Sequence, residues 1–135
     1  MLQQDFIDEL VQKYDLDLLI LFGSRAKDRA REDSDIDVAY LSKKPLSDEQ
    51  WDEMMCSIMA NTHINRVDLV NLNHEHGLLI RYQIFTTGKL LYESAPRLFR
   101  EMMFTAINQY SDARPVLADF VEKNIKQYLQ SFSHA

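Results

Sequence analysis

A chain of 135 residues, 46% hydrophobic and 27% charged, has the material for one ordinary domain and the composition of a soluble globular protein. Its formal net charge of −6 argues against a protein that grips nucleic acid through phosphates, and is a mildly better fit to one that docks on a basic partner. The most apolar run, Leu16 to Phe22, is interrupted by Asp17 and is too short for a membrane span. Met1 to Asp8 carries no basic cluster ahead of an apolar stretch, which argues against a secretory signal. The single cysteine, Cys56, permits no internal disulfide and suits a reducing cytoplasm.

Taken in chain order, Leu2 to Tyr14 places Leu2, Phe6 and Leu10, and Ile7, Val11 and Tyr14, at helical spacing. Asp17 to Phe22 reads as a buried strand stopping at Gly23, Arg25 to Arg31 as a short polar helix, and Ile36 to Leu41 as a second strand. Ser47 with Gln50 three residues on predicts a capping box opening a helix to about Ala60, with Trp51, Met54, Met55, Cys56 and Ile58 on its apolar side. Arg66 to Leu72 alternates as a third strand, Glu75 to Phe85 is expected to be helical, and Lys89 to Glu93 is a short strand after the turn residue Gly88. From Ala95 onward the tail reads as helical, with Pro96 at the helix start and Pro115 implying a break near Ser111 and Asp112. This alternation of helices and strands predicts an α/β fold, with no linker that would divide it.

The chemistry-bearing residues are Gly23-Ser24-Arg25, Asp35-Ile36-Asp37 and Asp68. A glycine between a strand and a helix lets the backbone approach a phosphate closely. Ser24 can donate its hydroxyl there, and Arg25 can reach phosphate oxygens with its planar fork. Strand alternation puts Asp35 and Asp37 on one face with Ile36 pointing into the core. Two like charges that close call for a hard divalent cation, and magnesium binds through one or two carboxylates plus substrate phosphates. Asp68, in an otherwise apolar strand, either faces solvent or is costly to bury unless a metal or partner satisfies it. Three aspartates on neighbouring strands can hold two ions about 3.5–4 Å apart, the arrangement of in-line phosphoryl displacement. His74 and His76 read as surface histidines, Arg81 as a surface arginine and Tyr82 as a core tyrosine.

At these residues the chain resembles the DNA polymerase β-type nucleotidyltransferase superfamily and, more narrowly, the minimal nucleotidyltransferases, the MntA-type antitoxins of HEPN/MNT toxin–antitoxin systems. The likeness lies in Gly23-Ser24 followed by Asp35-Ile36-Asp37, in Asp68 as the third acidic residue, and in the segment from Gly88 to Glu93. It implies a nucleotidyltransferase fold: a mixed β-sheet flanked by helices with a C-terminal helical segment. On this reading residues 1–135 form a single domain, with a catalytic core at 1–93 and C-terminal helices at 95–132. It further implies that ATP is bound with two magnesium ions held by Asp35, Asp37 and Asp68, with Asp68 helping to deprotonate the acceptor. Gly23, Ser24 and Arg25 would hold the triphosphate.

The implied reaction is transfer of AMP to a tyrosine hydroxyl of a cognate HEPN ribonuclease toxin, which is thereby silenced. The implied setting is cytoplasmic, without direct nucleic-acid or membrane contact. Two rival expectations are a small-molecule nucleotidyltransferase, such as one acting on aminoglycosides, and a non-catalytic antitoxin that neutralises by covering its toxin. The Met- and Phe-rich tail, Phe99, Met102, Met103, Phe104 and Ile107, is expected mainly to pack on the chain's own sheet.

Overall fold

The computed structural model describes residues 2–23, 35–74 and 77–113. Within them α1 (Gln4–Tyr14) is followed by β1 (Leu16–Phe22), β2 (Ile36–Ser42), α2 (Asp48–Thr62), β3 (Val67–Asn71), α3 (Leu78–Thr87) and β4 (Lys89–Glu93). A fourth helix, α4, occupies 98–113. The strands form one sheet in the order β3-β2-β1-β4. β1 runs antiparallel to both β2 and β4, whereas β2 and β3 are parallel, so the sheet is mixed.

Each face of the sheet is covered by two helices. On one face Leu19, Leu21, Ile36, Val38, Tyr40, Val67 and Leu69 pack with Ile7, Leu10 and Tyr14 of α1 and Met54 and Ile58 of α2. On the other, Leu18, Ile20 and Ala39 pack with Ile84 and Phe85 of α3 and Ala106 of α4. β1 is therefore apolar on both sides, as a central strand must be. A register shift between Leu16 and Leu18 changes the alternation, so that Leu16 joins the same cluster as Leu19 and Leu21.

Local chemistry explains the boundaries. Asp15 ends α1 in the left-handed region (φ 53°), where aspartate is tolerated, and its N–H donates to the Val11 carbonyl. The expected capping box is present: Gln50 N–H donates to Ser47 Oγ at 3.1 Å, and Ser47 N–H donates to Gln50 Oε1 at 3.0 Å. The tail packs on its own sheet as expected. Leu98, Phe99, Met102 and Met103 cover the α3 side, and Phe104 is the residue that turns outward.

Three sequence expectations are corrected. Cys56 is exposed rather than buried, because α2 inserts Met54 and Ile58, one turn apart, and two residues on from Met54 points the opposite way. Pro96 lies in a turn rather than at the helix start, because Arg97 takes a left-handed φ of 70° and α4 begins only at 98. Finally, α4 continues through Ser111 and Asp112 to 113, since a proline disfavours helical geometry mainly at the residue immediately before it; Pro115 itself lies outside the described residues.

Candidate active site

The parallel β2–β3 seam aligns the acidic residues. Asp37 is the register partner of Asp68, one rung after Ile36 and Val67. Alternation directs both to the α3–α4 side of the sheet, opposite the cluster that takes Ile36 and Val67. One rung earlier, the Ile36 N–H donates to the Arg66 carbonyl at 3.0 Å, and Arg66 Nε lies 3.3 Å from Asp35 Oδ1. The end of the seam therefore carries an Asp35–Arg66 ion pair and, beside it, an Asp37–Asp68 pair of like groups.

Their environments differ. Asp37 and Asp35, at the interior strand, are 5% and 8% exposed, whereas Asp68 is exposed. Of the two readings open for Asp68, the structure has the solvent-facing one: β3 is the sheet edge, and the burial cost falls on Asp37. Burial pushes the Asp37 carboxyl up from 3.8 to about 7. A hydrogen bond with Asp68, then the nearby charges of Asp68 and Asp35, act in the same direction.

Gly23 explains how the buried carboxylate fits. It sits at the end of β1 with φ +75°, and a Cβ built there would fall on Asp37 Oδ2. Glycine is thus required twice, by the backbone conformation and by the close approach of Asp37. Ser24 and Arg25, the next two residues, lie outside the described residues.

The three expected aspartates are only partly brought together. Asp37 and Asp68 face each other at one rung, but Asp35 gives its carboxylate to Arg66. Among the described residues no three Asp, Glu, His or Cys side chains stand in metal-holding geometry. The donor chemistry nevertheless fits a hard divalent cation. Two all-oxygen ligands from adjacent strands meet at one rung, and their mutual repulsion is relieved by a proton or by a cation. Arg66 is the site residue that sequence reasoning missed as a functional group. Its only signal was a basic residue two before Asp68, and it becomes informative once the register sets it beside Asp35.

Of the remaining candidates, His76 lies outside the described residues. His74 is exposed, Arg81 lies over the Phe85 ring at 5.7 Å, and Tyr82 stacks on Tyr110 at 4.4 Å, tying α3 to α4. No helix among the described residues is long and apolar enough to cross a membrane.

Comparison with known proteins places this geometry. The family described as Polymerase beta, Nucleotidyltransferase matches residues 5–97. No curated protein matches the sequence. The structure is similar to a chain in the crystal structure of a toxin–antitoxin with AMP-PNP, with 24% identity, 88% of this chain and 98% of that one covered, and a TM-score of 0.71. It is also similar to a chain of the MntA–HepT toxin–antitoxin, at 23% identity, 87% and 95% coverage and a TM-score of 0.64. A third likeness is to a chain of the tri-AMPylated Shewanella oneidensis HEPN toxin in complex with MNT antitoxin, at 23% identity, 87% and 94% coverage and a TM-score of 0.64. These similarities establish the shared fold.

Proposed function

Because this chain belongs to the Polymerase beta nucleotidyltransferase family, we propose that it transfers AMP from ATP to a tyrosine hydroxyl of a cognate HEPN-type toxin and so neutralises it. The observation that carries this reading is the Asp37–Asp68 rung packed against Gly23. Its support on the partner side is that the similar folds include a toxin–antitoxin with AMP-PNP and an MNT antitoxin in complex with a tri-AMPylated HEPN toxin.

Asp37, Asp68 and Asp35 would hold two magnesium ions, Asp35 after turning away from Arg66. Magnesium, when bound, supplies positive charge that neutralises the phosphate oxygens during in-line displacement. Gly23 lets the chain approach the triphosphate, with Ser24 and Arg25 next in line for its oxygens. In the transfer the tyrosine oxygen bonds to the α-phosphorus, the bond from that phosphorus to pyrophosphate breaks, and the phenolic proton goes to Asp68. Asp68 suits this part because it stands on the exposed edge strand, where an acceptor carried by another protein can reach it. An AMP group adds negative charge and bulk where a ribonuclease must meet RNA phosphates. The setting is the cytoplasm, and the working unit is one minimal domain with its catalytic core at 1–93; of the expected helices at 95–132 the structure describes α4 at 98–113, and the residues beyond 113 lie outside the described ones.

The test is incubation of the chain with magnesium, ATP labelled at the α-phosphate and the HEPN-type product of a neighbouring gene, followed by mass spectrometry. Label on a tyrosine of that protein is expected. Label on a small molecule alone, or neutralisation undiminished in Asp37→Asn, would reject the reading in favour of a small-molecule enzyme or a covering antitoxin respectively.

A further inference from the structure

Asp35 is buried to 8% exposure and its acidic neighbour Asp37 feels its charge, yet its counterion is an arginine whose side chain is 80% exposed. The backbone of that arginine is fixed, because its carbonyl accepts the hydrogen bond from Ile36 N–H at the first rung of the β2–β3 seam. Among the described residues its guanidinium has one ion-pair contact, Nε to Asp35 Oδ1 at 3.3 Å, which is long for a charge-assisted hydrogen bond. An exposed head on a fixed base, at long range from one of the carboxylates that the proposed site needs, is suited to being displaced.

We propose that Arg66 is a displaceable counterion of Asp35: it neutralises and turns this carboxylate in the metal-free protein, and competes with a divalent cation for it. The inference rests on the proposed function, since it assumes that Asp35 serves a cation at all. Arg66 is in this role a positioning residue, acting through Asp35. A pair whose arginine end is exposed and whose contact is long is weak, which suits a group that a cation must displace: it biases Asp35 without locking it.

The consequence is a specific order of cation affinities. Removing the guanidinium charge leaves Asp35 available to a cation, so Arg66→Gln should bind Mn2+ about three- to fivefold more tightly than the unaltered chain, the range expected for a weak pair exposed at its arginine end. Arg66→Lys, which keeps the charge, should remain near the unaltered value. Lys89→Gln removes an exposed positive charge at the start of β4, two strands from Asp37, and should change affinity by much less.

The experiment is a Mn2+ titration of the full chain and the three variants, without nucleotide or partner, read by calorimetry at fixed ionic strength. Circular dichroism would check that each variant is folded. Tighter binding confined to Arg66→Gln supports the proposal. Equal tightening in Arg66→Gln and Lys89→Gln overturns it in favour of a general field, and unchanged or weaker binding in Arg66→Gln overturns it outright. If neither the unaltered chain nor any variant binds Mn2+, the metal reading of the proposed function falls and this inference with it. Binding that ignores Arg66 would remove this inference alone.

Discussion

The two ends of the β2–β3 seam solve the same problem in opposite ways. At the far end Ser42 is 2% exposed and its polar groups are matched. Its N–H donates to Asn73 Oδ1 at 3.0 Å, its carbonyl accepts from Asn73 Nδ2 at 2.8 Å, and its hydroxyl lies 2.7 Å from the Lys44 carbonyl. At the near end Asp37 is 5% exposed and faces another carboxyl. Satisfied buried polar groups stabilise a fold, whereas a half-satisfied pair of like groups is destabilising unless something else is bound there. One end of the seam therefore reads as scaffold, and the other as a place where structure has been subordinated to chemistry.

Substitutions at the two ends should separate stability from activity. The largest effect is expected at Asp37. Asp37→Asn keeps shape but removes a ligand charge, and transfer of labelled AMP should fall on the order of 1,000-fold while the metal-free melting temperature holds or rises. At the other end the dissociation reverses: Asn73→Ala strands the buried Ser42 N–H and should lower unfolding free energy by about 1–3 kcal/mol in urea titration, with transfer little changed. Equal loss of stability and activity in both variants would erase the distinction.

Gly23→Ala should cost about 1–2 kcal/mol for its left-handed backbone alone. It should also displace the Asp37 carboxylate, so that added magnesium raises its melting temperature less than that of the unaltered chain.

A further effect concerns pH. With the folded-state Asp37 near 7 against 3.8 for the ordinary group, the folded chain holds more protons between those values. Stability of the metal-free protein should then be greatest at the acid side of this window and fall as pH rises from about 4 to about 7. Melting curves in chelator should show this slope, and Asp37→Asn should flatten it.

Much of this was legible in the sequence because local signals agreed. The capping box at Ser47 and Gln50, the strand Lys89–Glu93 and the turning of Ile36 into the core each rest on a few neighbouring residues. What was not legible depends on pairing. Which strand lies at an edge decides that Asp68 is exposed while Asp37 is buried, and sequence periodicity carries no edge label. The same register makes Arg66 the counterion of Asp35. Cys56 was misread because α2 is apolar around more than one face, so composition alone did not choose which stripe turns inward. The expected phosphate-holding part of Ser24 and Arg25 rests on sequence alone, since those residues lie outside the described ones.

The central claim is that the Asp37–Asp68 rung, joined by Asp35, is a cation-holding centre. Anomalous diffraction from crystals grown with Mn2+ and a non-hydrolysable ATP analogue tests it most directly. The account predicts manganese between the carboxylates of Asp37 and Asp68, with Asp35 turned from Arg66 toward it. Manganese bound elsewhere, with Asp37 and Asp68 still sharing a proton and Asp35 still on Arg66, would contradict it.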